Sequence, residues 1–169
     1  RQEAAQAFAG FLQACDGLHL RVMTDLVINH TAIDAELVPA RPHWYKRDAA
    51  GQLYQPRVAD PQDTSRITIW HDLAELDYDN PAARLELVDY WLAYVRRLAD
   101  WGVKGFRCDA AYKIPKDVWR ALIGGTKART PRVKFFAETL GCGPEAFEAL
   151  RGSGFDYTFN SSKWWDFRQ

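Results

Sequence analysis

The chain has 169 residues, enough for one domain with a real core, and its 47% apolar and 26% charged residues read as globular. Its 22 Lys and Arg balance 22 Asp and Glu, so it lacks the basic footprint that a nucleic acid or an acidic membrane needs. No apolar run approaches the roughly 20 residues that span a bilayer.

In chain order, residues 3–15 place Ala4, Phe8, Phe11, Leu12 and Cys15 on one helical face. Residues 20–28 are mostly apolar and predict a buried strand. Residues 31–79 hold Pro39, Pro42, Pro56, Pro61 and Gly51, with weak periodicity. They predict a long irregular excursion, and such a length inside a compact domain points to function. Asn80 is a good N-cap and Pro81 suits the first helical position. Leu85, Val88, Trp91, Leu92, Val95 and Leu98 then form an apolar stripe up to a stop at Gly102. Residues 103–108 predict a strand, and 115–123 a short helix with Val118, Trp119 and Leu122 inward. Residues 133–137 predict a strand, 144–150 a helix and 155–159 a last strand. Ser162 is a candidate cap for a further helix. Trp164 and Trp165 read either as core packing or as sugar platforms.

Alternating strands and helices imply a parallel sheet. The intervals between Asp109, Glu138 and Asn160 fit single strand–helix units, while the longer one from Asp25 to Asp109 requires an insertion. The expected architecture is α/β, with four parallel strands ending near Ile28, Cys108, Ala137 and Phe159. Residues 31–79 form an inserted subdomain after the first strand.

Three cysteines, Cys15, Cys108 and Cys142, fit neither a disulfide framework nor zinc-ligand spacing. Read as free buried thiols, they favour a reducing compartment, so a cytoplasmic location is expected. The chain opens with Arg1 and shows no signal-peptide pattern.

Polar residues follow the apolar strands: Asn29 and His30 after the first, Asp109 after the second, Glu138 after the third. Acids there are costly in a core and useful in a pocket. In parallel α/β folds the carboxyl ends of the strands build the site. Arg107 lies two residues before Asp109, so both leave the same strand face, and the guanidinium favours an ionised carboxylate. Glu138 follows Phe135, Phe136 and Ala137, and apolar surroundings favour a protonated carboxyl. From these residues alone, a strand-end salt bridge and a helix-dipole acid remain equal alternatives. Taken together, the pair suggests glycoside chemistry, with an ionised Asp109 and a protonated Glu138, and leaves retaining and inverting mechanisms open.

These stretches resemble the α-amylase family, glycoside hydrolase family 13. Residues 25–30 (DLVINH) resemble its first signature, 105–110 (GFRCDA) its second and 136–138 (FAE) its third. Residues 72–81 (DLAELDYDNP) are similar to the stretch that closes the family's inserted B domain. The region 154–165 is similar to the sixth-strand region of maltosyltransferase-type members. The resemblance implies part of a (β/α)8 TIM barrel, about strands 3 to 6, within one catalytic domain. It implies a retaining mechanism on α-linked glucose polymers or oligosaccharides, with the two carboxyls roughly 5–5.5 Å apart. Asp109 would attack the anomeric carbon and Glu138 would protonate the leaving oxygen. Arg107 would orient Asp109, His30 would bind the sugar, and Asp25 would support the site from below. Lys113 reads either as an acceptor-site contact or as a solvated helix-start lysine.

No cofactor is implied beyond a possible structural calcium. Asn29 matches a calcium ligand of calcium-dependent members, but Tyr112 and Lys113 stand where those members often have Lys and His. A glucan is the expected partner; nucleic acid and membrane are not. Three activities stay open: a hydrolase, a transglycosidase of maltosyltransferase or trehalose-synthase type, and a non-catalytic carbohydrate-binding remnant. The fourth signature lies beyond Gln169, so these 169 residues alone are expected to be weak or inactive.

Overall fold

The computed structural model describes residues 2–60 and 63–159. The expectations for Ser162, Trp164 and Trp165 lie outside them. The elements are α1 (Gln2–Gly17), β1 (Met23–Leu26), β2 (His30–Ala32), α2 (Leu37–Ala40), β3 (Arg57–Ala59), β4 (Ile67–Ile69), β5 (Leu73–Glu75), α3 (Pro81–Trp101), β6 (Gly105–Cys108), α4 (Lys116–Lys127), β7 (Lys134–Ala137), α5 (Pro144–Ala149) and β8 (Tyr157–Thr158).

Strands β1, β6, β7 and β8 form one sheet in that order, and every pairing is parallel. Helices α3, α4 and α5 occupy the connections, so the unit is an arc of a βα barrel. Alternation along the strands separates two faces. Leu26, Phe106, Cys108, Phe135 and Ala137 are buried toward the helices, and the Phe106 and Phe135 rings stack at 5.3 Å. Asp25, Arg107 and Phe136 share the other face by register. The first strand is therefore shorter than the apolar run predicted. Met23 and Asp25 are exposed because only the helix-side face is covered among the described residues.

Helix α3 starts and stops as its sequence dictates. The Asn80 side chain accepts hydrogen bonds from the N–H groups of Ala82 and Ala83, and Gly102 ends the helix at φ 117°. Its buried stripe is Ala83, Leu87, Trp91, Val95, Leu98 and Ala99. Leu85, expected inside, is 72% exposed. The stripe that joins the apolar core is rotated by about half a turn from it, which puts Leu87 inward instead. In α4 the expected Val118, Trp119 and Leu122 are buried.

Residues 30–75 are more ordered than their composition suggests. β2 pairs antiparallel with β5, and β3 with β4. Trp44, Tyr45, Ala74, Leu76 and Tyr78 join the same apolar core as the sheet. The Tyr78 hydroxyl donates to Ile28 O at 2.6 Å, fastening this segment to the end of β1. Cys108 and Cys142 are buried as expected, whereas Cys15 on α1 is only half-buried; burial pushes the Cys108 thiol up, which keeps it inert.

Candidate active site

Asp109 and Glu138 are the first residues past β6 and β7, and the parallel ladder carries them to one level. Asp109 N–H donates to Leu26 O at 3.1 Å, and Glu138 N–H to Cys108 O at 2.9 Å. Neighbouring strands lie about 4.8 Å apart, so the two residues stand side by side. Arg107 sits two residues below Asp109 on the same face. Its Nη1 lies 2.9 Å from Asp109 Oδ1 and 3.3 Å from Asp25 Oδ2, and its Nη2 lies 3.9 Å from Glu138 Oε2. One guanidinium thus faces carboxylates from three adjacent strands.

Directly after Asp109 the backbone turns sharply. Ala110 has φ 41° and ψ 47°, a left-handed conformation that non-glycine residues seldom adopt. The turn aims Ala110 N–H at Glu138 Oε2, 2.9 Å away. Leu140 N–H donates to Glu138 Oε1 at 2.6 Å. The carboxyl oxygens of Glu138 therefore meet hydrogen-bond donors, not the apolar wall inferred from its sequence neighbours. The reason is alternation: Phe135 and Ala137 point into the helix-side core, and Phe136 stacks on Tyr157 at 4.9 Å.

Both carboxyls open into a cleft of about 520 Å³. His30, at the start of β2, lines it with Asn29 and Lys113. Burial holds His30 below the usual histidine range against the opposing pull of Asp109, so the ring is neutral at pH 7. Lys113 is not a solvated lysine. It is half-buried, and burial lowers its pKa; its Nζ donates to Arg57 O at 3.0 Å and lies 5.8 Å from the Trp70 ring centre. Asp25 does not line the cleft; it is largely exposed and reaches the site through Arg107.

The opposite wall comes from the inserted segment: Pro56, Val58, Trp70 and Leu73. None of these was singled out from sequence. An exposed ring in an aperiodic segment carries no pattern, although a tryptophan just before the 72–81 stretch was a usable signal.

No family model matches the chain. It is 31% identical over 98% of its length to the alpha-1,4-glucan:maltose-1-phosphate maltosyltransferase of Burkholderia pseudomallei. It is 28% identical over 166 residues to alpha-amylase MalA of Haloarcula japonica. A crystal structure of an alpha-amylase from Lactobacillus plantarum superposes with a TM-score of 0.68 at 30% identity over 91% of the chain. Over nearly its whole length the chain is similar to a segment of α-amylase-family proteins. It spans 14% and 22% of the length of the two curated relatives and 35% of that solved structure. Its four-stranded arc is accordingly part of the α-amylase family's TIM barrel.

The calcium that this family resemblance implies does not fit the residues present. Calcium takes six to eight oxygen ligands. Asn29 offers a buried amide oxygen with no partner. However, the nearby carboxylates of Glu75 and Asp79 already hold the Lys46 ammonium at 3.1 and 3.0 Å. Burial works against the charge on Lys46, but its hydrogen bonds to Asp79 and Glu75 prevail and raise its pKa. Among the described residues no group of three or more His, Cys, Asp or Glu is placed to hold a metal, and no helix is long and apolar enough to cross a membrane.

Proposed function

We propose that this chain carries the catalytic pair of a retaining enzyme acting on α-linked glucose polymers or oligosaccharides. The observation that supports it most is Arg107, whose one guanidinium faces Asp25, Asp109 and Glu138 at the rim of a cleft. In the first step Asp109 attacks the anomeric carbon. The glycosidic C–O bond breaks, and Glu138 delivers its proton to the leaving oxygen. In the second step Glu138 takes a proton from water or an acceptor hydroxyl. That oxygen attacks the anomeric carbon, and the bond to Asp109 breaks to release the carboxylate. The neutral His30 ring is a hydrogen-bonding contact for the sugar between them. Trp70 and Leu73 supply an apolar wall for a pyranose face.

The test is made in the gene product that contains this segment. Asp109→Asn and Glu138→Gln should each lower kcat on maltoheptaose by about a thousandfold or more. Retention of more than a tenth of the activity by Asp109→Asn rules out its nucleophilic role.

The identity to a maltosyltransferase along nearly the whole chain favours a second reading, transfer to an acceptor other than water. Product analysis with and without inorganic phosphate and maltose separates the two. New phosphorylated or elongated products indicate transfer, and reducing sugars alone indicate hydrolysis.

A further inference from the structure

Beside the catalytic cleft lies a second pocket of about 310 Å³ that includes Asn29, Lys46, Glu75, Asp79 and Lys113 in its lining. It lies between the end of β1, the inserted segment, the start of α4 and the end of α5. The backbone already knits the inserted segment together around Lys46. Lys46 N–H donates to Glu75 O, Tyr54 N–H to Lys46 O, and Glu75 N–H to Tyr54 O, each at 2.9 Å. The Lys46 side chain returns to the same place. Its Nζ lies 3.1 Å from Glu75 Oε1 on β5 and 3.0 Å from Asp79 Oδ2, next to the Asn80 cap of α3.

A divalent ion here would need those two carboxylates, and an ammonium occupies both. A second ammonium, that of Lys113, lines the same pocket and is fixed to Arg57 O. Two cations beside one ion site repel a third. Glu75 has only 19% of its side chain exposed, so removing its cation would leave a carboxylate largely shielded from water and uncompensated.

We propose that the Lys46 ammonium is the built-in cation of this site, tying the middle of the inserted segment to β5 and to Asp79 beside the start of α3, where calcium-dependent relatives use an ion. The chain then holds this junction without metal. The inference is independent of the catalytic roles given to Asp109 and Glu138.

Two measurements test it on the gene product that contains this segment. First, thermal unfolding is compared in excess EDTA. Lys46→Met should lower the Tm by about 4 °C or more, and Lys46→Arg, which keeps a cation, should recover most of the loss. A Lys46→Met protein as stable as the parent overturns the proposal. Second, the shift in Tm caused by millimolar calcium is compared between the parent and Asn29→Ala, which needs no lysine variant to fold. The two shifts should be equal within about 1 °C. A calcium stabilisation present in the parent and absent in Asn29→Ala shows that an ion, not Lys46, fills the junction.

Discussion

At the mouth of the cleft Trp70 keeps 39% of its surface exposed, although its backbone is held at the end of the β3–β4 ribbon by a hydrogen bond from its N–H to Pro56 O at 3.0 Å. A rigidly mounted, open indole suits the apolar face of a pyranose. Trp70→Ala should raise KM for maltoheptaose about tenfold, roughly 1.4 kcal/mol of lost contact. It should leave kcat on a short aryl α-glucoside within about twofold, because the ring binds sugar and touches no reacting atom. Steady-state kinetics on the two substrates checks this, and an equal loss on both would place Trp70 in folding instead. At this scale legibility divides by distance along the chain. Arg107 and Asp109 are two residues apart on a strand, so the strand period alone predicts that they share a face. Lys46 and Glu75 meet only because the inserted segment folds back, and no local pattern announces that. Glu138 was found for its position at a strand end, but its surroundings were misread. The sequence neighbours of a strand residue point away from it, and its real partners, Ala110 and Leu140, come from turns.

Among the elements, those with strong local signals matched expectation. The apolar strands, the Asn80 cap and the Gly102 stop are determined by residues within a few positions. The three-residue strands of the inserted segment were invisible because each is stabilised by its cross-strand partner. The corner between β7 and β8 depends on a residue that sequence did not mark. Asp156 accepts from Lys127 Nζ at 2.8 Å, Lys134 Nζ at 3.0 Å and Phe135 N–H at 2.9 Å. Burial opposes its charge, but these three donors outweigh burial and hold its carboxyl below the usual range. A carboxyl whose folded pKa is depressed contributes stability above its unfolded value of about 3.9, and that contribution is lost as pH falls through the lower folded value. Asp156→Asn should therefore cost about 2 kcal/mol at pH 7. The difference from the parent should shrink on acidification below pH ~4. Denaturant unfolding of both proteins at several pH values measures it, and a pH-independent difference would contradict the assignment.

For the molecule as a whole, one continuous apolar core runs from the helix-backed sheet into the inserted segment. That continuity brings Trp70 and Leu73 across from Asp109 and Glu138, whereas separate cores would leave the cleft with one wall. The balanced charge of 22 basic and 22 acidic residues provides no long-range field for a charged polymer, in keeping with the neutral glucan proposed as substrate. Order along the chain and strand period were enough to anticipate the parallel sheet and the rim that carries the acids. The opposing wall needed the three-dimensional pairing of residues far apart in sequence. The central claim is double displacement through Asp109, and capture of the covalent intermediate tests it most directly. The gene product containing this segment is incubated with a 2-deoxy-2-fluoro-α-glucosyl fluoride, digested and analysed by mass spectrometry. A fluoroglucosyl adduct on the peptide that contains Asp109, absent after Asp109→Asn, is the predicted result. Turnover of glucan with no adduct on that peptide, and with a β-anomer as the first product by NMR, would contradict it.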